Sequence, residues 1–268
     1  MIECLHSGVS AKRARVALFD FDGTLSLIRT GWVDVMVPTM VEILAALGSG
    51  ESQEELRAVV EDYVARLTGE QTIYQMIELA RQVELRGGRP LDPLAYKKMY
   101  HERLMGRVRQ RREDLRRGAT PPEKFLVPGA RELLEVLRAR GMKLYCASGT
   151  DQDYTREETQ LLDIARYFDG GVYGALDDYR SFSKEILIQR ILTSTGCRGD
   201  ELLGFGDGYV EIKNVKEAGG VAVGVATDEP ECRKVNEWKR KRLLGVGADF
   251  IIPNFLDHRQ LLQILFPE

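Results

Sequence analysis

The sequence predicts an α/β protein, with a mostly parallel sheet covered by helices and an all-helical segment inserted near the start of the chain. Three observations carry that expectation. A short apolar strand, Val16-Ala17-Leu18-Phe19, stops at Asp20 and runs into the turn pair Asp22-Gly23. From Val127 onward, helical patterns alternate with short apolar strands, the order that builds a parallel sheet with both faces covered. Between Leu27 and Lys124, by contrast, every periodic segment has helical spacing.

Inside that insert Val37, Met40, Val41 and Leu44 make one apolar face. Leu56, Val59, Val60, Tyr63, Val64 and Leu67 make a second, and Ile73, Met76, Ile77 and Ala80 a third. Ser52 with Glu55, and Thr72 with Gln75, fit capping boxes, and Asp92-Pro93 fits an N-cap followed by proline at the first helical position. A long helix follows, with Tyr96, Tyr100, Leu104 and Val108 as its apolar ridge. From Lys97 to Arg117 it carries nine basic and three acidic residues, a charge run that reads as a solvated face. Thr120-Pro121-Pro122 returns the chain to the sheet. Pro128-Gly129 then opens a helix with Leu133, Leu134 and Leu137 on one face, Gly141 ends it, and Lys143 to Ala147 reads as a strand. The unit repeats: helix from Ser183 to Leu192, strand from Leu202 to Phe205, helix from Val210 to Ala218, strand from Val221 to Val225, a last strand from Phe250 to Pro253 and a terminal helix. The expected domains are a core of residues 1–26 and 125–268 and an insert of residues 27–124.

Composition excludes several function classes. A hydrophobic content of 44% with 29% charged residues is that of a globular chain, not a disordered one. Thirty-eight Lys+Arg against forty-one Asp+Glu leave a net charge of −3, without the basic field of a dedicated nucleic-acid binder. No charge-free run exceeds the ten residues Ala218 to Thr227, whereas a membrane-spanning helix needs about twenty apolar residues. The first residues lack the long hydrophobic stretch of a secretory signal, so a cytoplasmic location is expected. Cys4, Cys146, Cys197 and Cys232 are widely spaced, and His6, His101 and His258 form no metal-binding pattern, so neither disulfides nor zinc are signalled.

The chemistry lies at strand ends. Asp20-Phe21-Asp22-Gly23-Thr24-Leu25-Ser26 puts two carboxylates two residues apart at the C-terminal end of a strand, where open α/β sheets build their sites. Alone, that segment fits a turn with a helix N-cap nearby equally well. Further on, Tyr145-Cys146-Ala147 ends in Ser148-Gly149-Thr150, Lys184 is the only lysine between Lys143 and Lys213, and Leu202 to Phe205 runs into Gly206-Asp207-Gly208-Tyr209-Val210-Glu211. In this order the four segments resemble the motif series of the haloacid dehalogenase-like hydrolase superfamily. The likeness is to its phosphatase branch with a helical cap after the first motif, similar to phosphoglycolate phosphatases and β-phosphoglucomutases. It covers nearly the whole chain and implies a Rossmann-like core with an all-helical cap.

The resemblance implies that Asp20 attacks phosphorus and forms an aspartyl phosphate, while Asp22 protonates the leaving oxygen and then deprotonates water. Thr24, Ser148, Gly149 and Lys184 would bind the phosphoryl group. Carboxylates at Asp20, Asp207 and Glu211 repel a phosphate dianion unless a hard cation sits among them, and Mg²⁺ suits an all-oxygen site. The implied ligands are the side chains of Asp20 and Asp207 and the backbone carbonyl of Asp22. Glu211 departs from the family pattern, which has Asp there; it joins the metal site either through water or by orienting Lys184. Arg29, Trp32, Gln71 and Thr72, on the insert side of the first motif, are candidate specificity residues, with cap packing and helix capping as their alternative roles. The expected activity is a Mg²⁺-dependent phosphatase for a small phosphorylated metabolite, such as a sugar phosphate or a phosphoglycolate-like ester. A phosphomutase using the same phosphoaspartate is the first alternative, and a catalytically inactive protein that binds through the basic helix the second. Asp22 argues against a dehalogenase, which has no leaving oxygen to protonate. Neither nucleic acid nor membrane is an expected partner, and the oligomeric state is left open.

Overall fold

A computed structural model describes residues 2–176 and 178–268. In chain order its elements are β1 (Glu3–Cys4), β2 (Val16–Asp20), α1 (Val33–Ala45), α2 (Gln53–Arg66), α3 (Thr72–Leu85), α4 (Pro93–Arg116), α5 (Ala130–Ala139), β3 (Lys143–Asp151), α6 (Gln152–Leu161) and β4 (Gly171–Ala175). They continue with α7 (Lys184–Thr195), β5 (Leu202–Gly206), α8 (Tyr209–Glu217), β6 (Val221–Val225), α9 (Glu237–Gly245), β7 (Phe250–Ile252) and α10 (His258–Leu265). The chain divides into two compact units, Met1–Thr30 with Arg112–Glu268, and Gly31–Arg111.

The first unit is built on one sheet of order β1-β7-β6-β5-β2-β3-β4. Every pairing is parallel except β1 with β7 at one edge. β2 is central, flanked by β3 and β5, and all five of its residues are buried. Alternation divides its side chains between two cores. Val16 and Leu18 join a cluster with Leu187, Ile188, Ile191, Ile212 and Val215 from α7 and α8. Phe19 stacks on Phe205 at 4.5 Å between ring centroids and meets Phe168 edge-on, while Phe205 meets Phe255 edge-on. A strand buried on both faces must be apolar along its length, which is why Val16 to Phe19 reads as an unbroken run. β1, β4, α6 and α9 carried no sequence signal strong enough to read, and β3 runs on past Ala147 to Asp151.

The second unit comprises α1 to α3 and most of α4. α1 packs on α2 and α3 through Met36, Val37, Met40, Leu44, Leu56, Val60, Tyr63, Ile73 and Met76, all buried. Tyr63 donates a hydrogen bond to the Met40 sulfur, and Ser52 and Glu55 form the expected capping box. The Thr72 box is absent: α3 begins at Thr72 itself, Gln71 takes the N-cap position, and no side chain caps the helix. The expected ridge Tyr96, Tyr100, Leu104 and Val108 is buried throughout. Much of the positive charge on α4 is answered by ion pairs, with Arg103 paired to Glu42, Arg107 to Asp34, and Arg112 and Arg116 to Glu157, while Arg117, just past the helix, pairs with Glu113. Among the described residues the four cysteines are free thiols, and no helix is long and apolar enough to cross a membrane.

Candidate active site

Three neighbouring strands of a parallel sheet end side by side, and the residues at their C-terminal ends share one crevice. β2 ends at Asp20, β5 leads through Gly206 to Asp207, and β3 carries Ser148 and Thr150. After Asp20 the chain turns tightly: Gly23 donates its N–H to Ser26 O, and Leu25 and Ser26 both donate to Phe21 O. Gly23 adopts φ +77°, and a Cβ there would fall 2.4 Å from Asp207 Oδ2, so this turn tolerates only glycine.

Asp20 is 5% exposed and both of its carboxylate oxygens are engaged. Lys184 Nζ, at the first turn of α7, donates to Asp20 Oδ1 at 2.6 Å, and Thr24 Oγ1 donates to Oδ2 at 3.1 Å. The Asp207 N–H in turn donates to Thr24 Oγ1 at 2.9 Å, which ties the two strand ends together. Lys184 also pairs with Glu211 Oε1, and Glu211 Oε2 is buried without a hydrogen-bond partner. Oxygens of Asp20, Asp207 and Glu211 lie within 4.8 Å of one another. Burial, with the negative charge of Glu211 added, pushes the Asp20 carboxyl up to about 8 even though Lys184 opposes it. Burial likewise raises Asp207 to about 7 against the pull of Lys239, with repulsion from Asp20 and Glu229. Burial disfavours the Lys184 ammonium, yet Asp20 and Glu211 more than offset that and hold it above the ordinary lysine range. A site whose carboxylates resist ionisation, with an orphaned buried oxygen among them, fits a hard divalent cation.

Asp22 is held apart from that cluster. Its Oδ2 accepts hydrogen bonds from Ser148 Oγ at 2.8 Å and Thr150 Oγ1 at 2.9 Å, and its Oδ1 lies 3.8 Å from Arg29 Nε. Gly149 sits in β3 between the two hydroxyl residues. Arg29 is 6% exposed and makes a paired contact with Glu158, Nε to Oε2 at 3.0 Å and Nη2 to Oε1 at 2.9 Å. Glu158 is fully buried, and Arg112 Nε stands 3.5 Å from it. The Arg29 and Arg112 guanidiniums both lie over the Tyr154 ring, at 5.6 and 5.1 Å. Trp32, Gln71 and Thr72 belong to the other unit, where Trp32 is half-buried ahead of α1, Gln71 is buried at the start of α3 and Thr72 opens that helix.

Sequence reasoning missed Thr150, Glu158, Glu229 and Lys239. Thr150 had a readable signal, being two residues from Ser148 on the same strand and therefore on the same side. Glu158 lies 129 residues from Arg29, and Lys239 sits in the basic run Lys239-Arg240-Lys241-Arg242, so nothing local marks either one.

Comparison with known proteins settles the family, because residues 14–219 match the pattern of haloacid dehalogenase-like hydrolases. The chain belongs to that family. Among solved structures this hydrolase is similar to a haloacid dehalogenase-like family protein from Streptococcus pneumoniae, with a TM-score of 0.59 and 17% identity over 94% of this chain and 99% of that one. It is similar to a predicted phosphoglycolate phosphatase from Haemophilus somnus, with a TM-score of 0.58 and 17% identity over 94% and 99%. A HAD phosphatase from Thermococcus onnurineus gives a TM-score of 0.51 and 19% identity over 93% and 98%. At these identities the likeness is one of fold. A 5′-nucleotidase of Pseudomonas aeruginosa is 31% identical over 103 residues, which are 38% of this hydrolase and 46% of that protein. The match thus spans less than half the length of that curated relative.

The Arg29–Glu158 pair predicts a stability effect. Replacing Arg29 with Met should cost ~2–4 kcal/mol, somewhat less than for a wholly orphaned buried charge, because Arg112 remains beside Glu158. Urea unfolding should show that loss for R29M and recovery of much of it in R29M/E158M; an unchanged midpoint in R29M would contradict the structural weight given to the pair.

Proposed function

We propose that this hydrolase is a Mg²⁺-dependent phosphatase for a small phosphorylated metabolite, working through an aspartyl phosphate on Asp20. The observation that carries the reading is the setting of Asp20: at a strand end, clamped by Lys184 and Thr24, and within 4.8 Å of oxygens from two further carboxylates. That arrangement suits an anionic nucleophile that must approach an anionic phosphoryl group, with Lys184 supplying fixed positive charge.

In the first displacement an Asp20 oxygen attacks phosphorus and the ester oxygen departs, taking a proton from Asp22. In the second, Asp22 takes a proton from water as the water oxygen attacks phosphorus; the bond to Asp20 breaks, and inorganic phosphate leaves with both carboxyl groups restored. Ser148 and Thr150 hold the Asp22 carboxylate in place through its Oδ2, which orients the group for the proton transfer. Asp20, Asp207 and the Asp22 backbone carbonyl would hold the cation, with Glu211 orienting Lys184 through their ion pair. When bound, Mg²⁺ offsets the charge of the carboxylates and of the phosphoryl oxygens. The 5′-nucleotidase relative acts on a phosphate ester by its name, in keeping with this chemistry. Specificity is assigned to the helical unit, with Trp32 and the Gln71–Thr72 turn as the first positions to test.

Two outcomes are expected. Asp20→Asn should lower turnover of an aryl phosphate by ~10³-fold or more with little change in the unfolding midpoint, since a carboxamide has the shape of the carboxylate without its nucleophilicity. Near-normal turnover in folded D20N would refute the covalent route. Chelation with EDTA should abolish phosphate release and added Mg²⁺ should restore it, as measured by free phosphate across a panel of phosphorylated metabolites. Activity that survives exhaustive chelation would contradict the metal assignment.

A further inference from the structure

Asp207 already carries a cation from the chain itself. Lys239 Nζ, on α9, lies 2.8 Å from Asp207 Oδ2 and 2.7 Å from Glu229 Oε1, with the lysine side chain only 13% exposed. Thr30 Oγ1 donates to the second Glu229 oxygen at 2.8 Å and fixes that carboxylate in place. Gly23 is the floor of the arrangement, because a Cβ there would fall 2.4 Å from Asp207 Oδ2 and 3.0 Å from Glu229 Oε1. The first-motif turn, Asp207, Glu229 and Lys239 are therefore packed as one group. Neither Glu229 nor Lys239 belongs to any of the four motifs.

We propose that Lys239 and Glu229 set the affinity of the carboxylate cluster for its divalent cation. The inference rests on the reading of Asp207 as a metal ligand. Lys239 is the counter-ion of Asp207 before metal arrives, and its buried ammonium then repels any dication placed on the same carboxylate. Glu229 limits that penalty. It is a second acceptor, already oriented by Thr30, that keeps the ammonium paired when Asp207 turns to the metal. Removing the lysine takes away the repulsion and adds net negative charge. Removing the Glu229 charge leaves Lys239 dependent on Asp207 and strengthens the competitor. The two substitutions thus have opposite signs, which loss of a merely structural contact would not produce.

The test is calorimetric titration of metal-free, full-length protein with Mg²⁺, for wild type, K239M and E229Q, with unfolding midpoints recorded first. K239M should bind Mg²⁺ about tenfold more tightly and E229Q about tenfold more weakly than wild type. K239Q, which keeps a polar group between the two carboxylates, should also bind more tightly and replaces K239M if that variant does not fold. Wild-type binding with both variants within about twofold of it, or with both shifted the same way, would overturn this proposal while leaving the metal site standing. Absence of Mg²⁺ binding in wild type would instead remove the metal assignment, and this proposal with it.

Discussion

Negative charge is concentrated where water is scarce, and the site is organised around making that tolerable. Asp20, Asp207 and Glu211 bring carboxylate oxygens within 4.8 Å of one another at the C-terminal ends of two interior strands, β2 and β5. Like charges so placed either take up protons or recruit cations. The chain supplies two of its own: Lys184 between Asp20 and Glu211, and Lys239 between Asp207 and Glu229. With both lysines in place, burial still drives Asp20 and Asp207 toward their protonated forms. The remaining deficit of positive charge is what a divalent cation would correct.

The sheet gives this cluster its rigidity. β2, β3 and β5 are adjacent and parallel, so their C-terminal ends deliver Asp20, Ser148 and Asp207 to one place with little freedom to separate. Thr24 ties Asp20 to the backbone of Asp207, while the φ of Gly23 lets the turn pass so close to Asp207 that no side chain would fit. Asp22 stands two residues on and is held by a different set of partners, Ser148 and Thr150 on one oxygen and Arg29 near the other. Two carboxylates two residues apart thus occupy distinct environments, as the proposed division between a nucleophile and a proton carrier requires.

Local pattern made part of this legible. Val16 to Phe19 announces the central strand because it is buried on both faces, and Asp20, Ser148, Lys184 and Asp207 are readable because each follows a short apolar run or begins a helical pattern in the sequence. The ridge from Tyr96 to Val108 followed from helical spacing alone. What escaped was weakly patterned or long-range. β1 has two residues, β4 is the glycine-rich Gly171–Ala175, and α9 is mostly charged, so none shows a periodic apolar face. The Thr72 capping box fit the residue spacing, but the helix starts one residue earlier than that box requires. Arg29 reads from the sequence either as a specificity residue or as a packing residue, and the buried pair it makes with Glu158 is one that no spacing rule foretells. Lys239 is one of four consecutive basic residues, and only the path of α9 distinguishes it from its neighbours.

The most direct test of the account is to trap the intermediate. Acid quenching during steady turnover of an aryl phosphate, followed by peptide mass mapping, should find one phosphoryl group on the peptide containing Asp20, released by alkali as an acyl phosphate is. Rapid turnover with the phosphoryl group on another residue, or with no phosphorylated peptide at any quench time, would contradict the nucleophilic role of Asp20.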